Sequence, residues 1–279
     1  MNKGYIKIAL ALLSVVGYMQ NIAFAINSIS NTNSSNEKAK QQLPINHEEA
    51  KQATDIMTDV LNLARKHIEH TDDYMPFPIK DEEEILYFKK VNNTYIGMIE
   101  LTIPNPDSYD GIINMLWDSN GEKNFDYAFI KGNISKIYDK NLVIRQQRYK
   151  GFIWNKYYNA LANKVELSKD ETAIVLASSD MNDHNRWHYK EYVNPIVESA
   201  NSFKPDIDSE EIVRNGITIR MYVNLVAFFI KKEADCVKIT HVASFDHNDI
   251  LQHSPKSIIK MTGIKLINII KLKDIFKKE

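Results

Sequence analysis

The chain has a single cysteine, Cys236, among 279 residues, so it cannot form an internal disulfide. A lone thiol of this kind reads as a small buried hydrophobe rather than a nucleophile. Net charge is nearly absent as well: 35 Lys and Arg stand against 36 Asp and Glu, a formal charge of −1. That balance argues against a nucleic-acid protein, which carries a basic excess. No Cys or His pair falls at structural zinc spacing. There is no G-x-S-x-G elbow, no glycine-rich phosphate loop and no zinc-hydrolase motif. His184 and His188 are four apart, but "DMNDHNRWHYKEY" is a poor helix and supplies no clear third ligand. Asp180, Asp183, Asp246 and Asp249 are scattered acids of the kind that form turns and caps.

What is present begins with Lys3, Lys7 and the apolar stretch Ile8 to Val16, too short to span a bilayer. A positive start, a short apolar middle and Ala23-Phe24-Ala25 as the cleavage site read as a secretory signal over 1–25, with an uncleaved anchor as the alternative. No later segment resembles a membrane span. Residues 26–47 are rich in Asn, Ser, Lys and Gln and read as a polar disordered spacer. Asn33, Asn92 and Asn133 each open a glycosylation sequon. The remainder, 48–279, is long enough for one domain with its own core, which a secreted chain without bridges requires.

Within that domain Ile56, Val60, Leu63 and His67 recur at helical spacing, with acids early and bases late. "EEILYFKKV" and "TYIGMIELTI" read as strands, and "PNPDSYDGIINMLWDSN" as a shorter helix. "ISKIYD", "NLVIRQQRYK", "YYNALANKVEL" and "ETAIVLASS" read as successive antiparallel strands. A large Asn/Pro-marked connection follows. The chain closes on a long helix, capped by Ser254 with Pro255 in its first turn. Ile258, Met261, Ile269, Leu272 and Phe276 fall on one side of it, and Lys256, Lys260, Lys271 and Lys278 roughly opposite. Gly263 lowers rigidity in the middle. Helices segregated from antiparallel strands make the class α+β. A basic amphipathic helix of this kind packs on the sheet or serves as a lid whose basic back faces anionic headgroups.

The stretch "YVNLVAFFIKKEADCVKITHVASFD" holds two strands. In the second, Val237, Ile239, His241, Ala243 and Phe245 share one face. The first is apolar on both faces from Leu225 to Ile230 and needs cover on both. Together with "YDGIINMLWD", "ELSKDETAIVLASSDMNDHNR" and "YVNPIVESANSFKPDI", and over about 48–276, these stretches resemble the START (steroidogenic acute regulatory-related lipid transfer) domain. More narrowly, they resemble the exported fam-a proteins of malaria parasites.

The resemblance implies a helix-grip fold: a curved antiparallel sheet wrapped around a long C-terminal helix, with a hydrophobic tunnel for one lipid between them. It implies a non-enzymatic carrier without cofactor or metal, probing membrane surfaces, anionic ones included, as a monomer. Phosphatidylcholine or a related phospholipid is the expected cargo, and export to the vacuole or host erythrocyte the expected destination. A phospholipid has roughly 30 methylenes, each worth about 0.8 kcal/mol out of water, so a sheltered path between membranes has a physical reason.

If the odd face points inward, Ile219, Met221, Val223, Leu225 and Phe229 line the tunnel, continued by Ile239, His241, Ala243 and Phe245. Met261, Ile269 and Leu272 face them from the helix; an ordinary solid core has the same alternation. By the resemblance a choline head sits in an aromatic cage, for which Trp154, Tyr157, Tyr158, Tyr127 and Tyr149 are candidates. Arg145 is the candidate phosphate ligand, with Asp126 to orient it. Two other readings are an exported interaction module that keeps the fold without transfer, and a helix-grip enzyme using His241. The second lacks an acid–base partner visible by spacing.

Overall fold

The structure, a computed structural model, describes residues 46–79, 83–151, 153–187, 190–248 and 254–277. They lie in the second of the chain's two units, Ile45–Glu279. The signal segment 1–25, nearly all of the spacer, Asn33, His188, Asp249 and Lys278 lie outside the described residues.

Helix α1 (His47–Glu69) starts where Asn46 Oδ1 accepts from the amides of Glu48 and Glu49. Its apolar stripe Ala53, Ile56, Met57, Val60, Leu61 and Ala64 is buried. Strands β1 (Met75–Pro78), β2 (Ile85–Val91) and β3 (Thr94–Ile103) follow, then helix α2 (Tyr109–Trp117). The meander β4 (Phe129–Asp139), β5 (Leu142–Tyr149), β6 (Lys156–Ser168) and β7 (Glu171–Ala177) comes next. Beyond a long connection lie the short helix α3 (Glu211–Arg214) and strands β8 (Ile219–Arg220), β9 (Tyr222–Lys232) and β10 (Val237–Asp246). Helix α4 (Pro255–Asn268), one 3-10 turn (Ile269–Lys271) and helix α5 (Leu272–Phe276) close the chain. Ser254 Oγ caps α4 by accepting from the Ser257 amide at 3.2 Å.

All strands join one ten-stranded sheet in the order β1-β2-β3-β10-β9-β7-β6-β5-β4, with β8 beside β6. Among the strands of the described residues, only the β6–β8 pair is parallel. One face buries Ile99, Leu101, Ile174, Val226, Ile239 and Leu266 in a cluster shared with α2 and α4. The other buries Ile96, Met98, Ile144, Val175 and Leu225 beneath α1. A central strand such as β9 is therefore apolar on both sides because each side has its own helical cover.

The α+β class holds, but the expected curved sheet wrapped around one long helix does not form. The strand path is open, with β1 and β4 as separate edges. Pro76 and Pro78 remove amide donors from β1, and β4 carries three register shifts against β5, so both are ends rather than closure points. Helix α4 packs on β2, β3 and β10, while α2 packs on β7 and β9, so two helical segments share the inner face. The terminal helix is also broken, not at Gly263, which is buried in an unbroken α4, but at the 3-10 turn Ile269–Lys271.

Candidate functional site

The inner face, on the α2/α4 side, encloses two hollows that share Phe245. The larger, about 300 Å³, lies where the starts of β3 and β9, the end of β10 and the first turns of α4 meet. Phe245, Ile258 and Met261 form its apolar wall, and Val193 and Pro195 of the long connection close one side. Its polar wall includes Thr94, Asn224, Asp246 and His247. The smaller hollow, about 40 Å³, runs beneath the second half of α4 past His241, Phe228, Tyr149 and Tyr158 to Arg145 and Asp126.

A buried charged cluster closes the small hollow. Lys265 of α4 reaches inward and donates to Asp126 Oδ2 at 2.6 Å, with Glu122 Oε2 at 3.9 Å and the Tyr149 ring centroid 3.2 Å from its Nζ. Asp126 is 4 % exposed and also accepts from the Ala128 amide. The Tyr149 hydroxyl donates to Glu122 Oε2 at 2.8 Å, and the Tyr158 hydroxyl bonds Gln147. Burial, first of all, pushes both phenols above their ordinary pKa.

Arg145, the expected phosphate ligand, lines the small hollow and is bonded to the end of α2. Its Nη2 donates to the Trp117 carbonyl at 2.6 Å and its Nη1 to that of Leu116 at 3.4 Å, which caps the C-terminus of α2 where the helix dipole is negative. Asp126 pairs with Lys265 instead of orienting Arg145. Lys265 stands four residues after Met261 and four before Ile269. A lysine inside that apolar stripe is the one signal in the sequence for an inward-facing cation.

His241 donates from Nδ1 to the Ala227 carbonyl at 3.0 Å and stacks on Phe228 with centroids 4.0 Å apart. Burial lowers its pKa to about 4, so it is neutral at pH 7. Among the described residues no group of three or more His, Cys, Asp or Glu could hold a metal ion. Exposed His184 pairs with Asp206 at 2.9 Å.

The expected tunnel residues divide. Ile239, His241, Phe245, Ile269 and Leu272 lie on the inner side, as do Met221 and Val223, and Met261 walls the large hollow. Leu225 and Phe229 turn to the α1 side. The cause is a register shift: Ser244 pairs with Leu225 but Phe245 with Val223, so Asn224 is an extra residue that inverts the alternation. Ile219, in the short edge piece β8, joins neither cluster.

Tyr127 and Trp154 are exposed at the surface, not assembled into a cage. Tyr157 is buried away from both hollows, donating to Asp183 Oδ2 at 2.8 Å and accepting from Arg220 Nε at 3.1 Å. Of the basic helix back, Lys256 and Lys260 are exposed, but Lys271 is not free: its Nζ donates to the Phe125 carbonyl at 2.8 Å. No described helix is long and apolar enough to cross a membrane.

No family model and no curated protein matches this chain. Solved structures do share its fold. The human StarD13 (DLC2) lipid transfer and protein localization domain is 13% identical, with a TM-score of 0.54, over 79% of this chain and 97% of that one. Human STARD10 is 11% identical with a TM-score of 0.52, over 84% of this chain and 80% of its own. Human StAR-related lipid transfer protein 5 is 8% identical with a TM-score of 0.53, over 80% and 98%. The architecture is therefore START-like, with an open sheet.

Proposed function

We propose that the chain binds one lipid between the inner face of its sheet and helix α4, and moves it between membranes. The observation that carries this reading is the pair of hollows on either side of Phe245, both lined by α4, in a fold shared with domains named for lipid transfer. A volume of about 300 Å³ is at the lower end of ligand pockets. A two-chain phospholipid therefore enters only if α4 moves outward. Lys265 on Asp126 and Lys271 on the Phe125 carbonyl pin the far end of the helix. The first turns, which wall the large hollow, carry no such pin among the described residues, and the mobile part of the gate is assigned to them.

Phosphatidylcholine is one cargo of the proposal, and monomeric action on membrane surfaces is part of it. A secreted, exported setting belongs to the same proposal and rests on the sequence alone. The narrowness of the small hollow favours a second reading, an interaction module that keeps the fold without transfer. A vesicle-to-vesicle assay with a fluorescent phospholipid separates them. The carrier accelerates exchange in proportion to protein concentration, and the interaction module leaves it at the spontaneous rate.

A further inference from the structure

The wall of the large hollow contributed by the long connection belongs to no helix or strand, yet it is held by a dense set of polar contacts. Val193 and Pro195 form that wall, and the residues interleaved with them turn into the protein: Tyr192 is 6 % exposed and Asn194 1 %. The Tyr192 ring stacks on Tyr222 at the start of β9, with centroids 3.8 Å apart and planes 2° from parallel. Its hydroxyl donates to Asn224 Oδ1 at 2.7 Å. Asn194 Nδ2 donates to the carbonyls of Asn224 at 2.9 Å and Ser178 at 3.1 Å. The Pro195 carbonyl accepts from Asn92 Nδ2 at 2.7 Å, across from the β2–β3 turn.

These contacts explain the extra residue in β9. A bulge leaves one residue outside the regular ladder, and Asn224 is that residue. Its carbonyl and its side-chain oxygen both accept from the connection, while its Nδ2 reaches back to Ser244 Oγ at 3.1 Å. Further along, Val197, Ala200 and Phe203 are buried in the apolar cluster beneath α1. The stretch before them, 192–195, is instead held by side-chain hydrogen bonds and one ring stack. Water can replace each of those hydrogen bonds, so releasing this stretch costs the net worth of a few of them rather than the loss of a core.

We propose that residues 192–195 are a strap latched onto the Asn224 bulge, and that releasing the latch opens the large hollow through its own side while α4 stays in place. The inference goes beyond the carrier reading and does not depend on it, because the strap closes the hollow whatever occupies it.

The test places a thiol in the hollow wall. Thr94→Cys, on β3 at a position 7 % exposed, is made with Cys236→Ala so that only position 94 can be alkylated. Onto this parent go Asn194→Ala, which removes the bonds to Ser178 and Asn224, and the pair Tyr192→Phe with Asn92→Gly. Tyr192→Phe keeps the stack and loses the hydroxyl; Asn92→Gly loses the Pro195 bond at a φ of +50° that glycine accepts. Alkylation rate under native conditions is read beside hydrogen exchange of 190–197 and of α4. The expected result is alkylation about tenfold faster in Asn194→Ala and in the pair, with 190–197 exchanging faster and α4 at the parent rate. If Asn194→Ala does not fold, the pair decides alone. A rate unchanged in the pair, a rate that rises only together with exchange of α4, or a parent thiol that reacts as fast as in the unfolded chain overturns the strap. Lipid is not read in this experiment, so its failure leaves the carrier reading standing.

Discussion

Replacing Lys265 by Met keeps the length and apolar stem of the side chain and removes its charge. The parent ammonium is 2.6 Å from Asp126 Oδ2, and Asp126 is 4 % exposed. Removing one partner of a buried pair costs about 3–5 kcal/mol, because the other charge stays behind without compensation. Asp126 retains the Ala128 amide at 2.9 Å, which places the loss at the low end, about 3 kcal/mol. For a domain of this size that is a drop of about 6–12 °C in Tm. Adding Asp126→Asn removes the stranded charge and should restore stability to within about 1–2 kcal/mol of the parent. Thermal unfolding of the parent, Lys265→Met and the double variant measures both steps. Because Lys265 pins α4 to the 122–126 segment, lipid exchange should speed up in the single variant. A single variant melting within about 2 °C of the parent, or a double variant no better than the single, would refute the anchor.

Burial holds His241 at a pKa of about 4 against an unfolded reference of 6.5. Between these values the unfolded chain binds the extra proton, so this contribution is complete above about pH 6.5 and is lost as pH falls toward 4. Urea unfolding between about pH 7 and about pH 4.5 should show stability falling by up to about 1.4 kcal/mol per pH unit from this group, and His241→Phe should flatten the slope. His67, lowered to about 4 by burial and by Lys89, keeps a remainder of the slope in that variant. Arg220→Met strands the fully buried Asp183 and should cost about 3–5 kcal/mol in chemical denaturation, with His241's pH dependence unchanged. Gly216 has φ of +71° and an added Cβ would lie 1.8 Å from Trp187 Cδ1, so Gly216→Ala should cost at least about 1 kcal/mol by the same measurement.

Local signals carried the elements well. The Ser254 cap, the α1 stripe and the alternation of β10 follow from side-chain chemistry within a few residues. The inner face of β9 did not, because alternation assumes a constant register. One extra residue at Asn224, stabilised by Tyr192 and Ser244 from elsewhere in the chain, moves Leu225 and Phe229 to the opposite face. Arg145 stood out as a phosphate candidate, but its partners are carbonyls 28 and 29 residues earlier in the chain, and no local pattern reports them. Sheet curvature came from the family resemblance rather than from the residues, and the open strand path corrects it.

The most direct test is native mass spectrometry of the purified parent chain after exposure to membranes, beside Met261→Trp, which fills the large hollow from helix α4. The account expects one lipid per parent chain and a large loss of occupancy in the variant, with both folded by circular dichroism. A folded parent chain that carries no lipid, or a variant that carries as much as the parent, would contradict it.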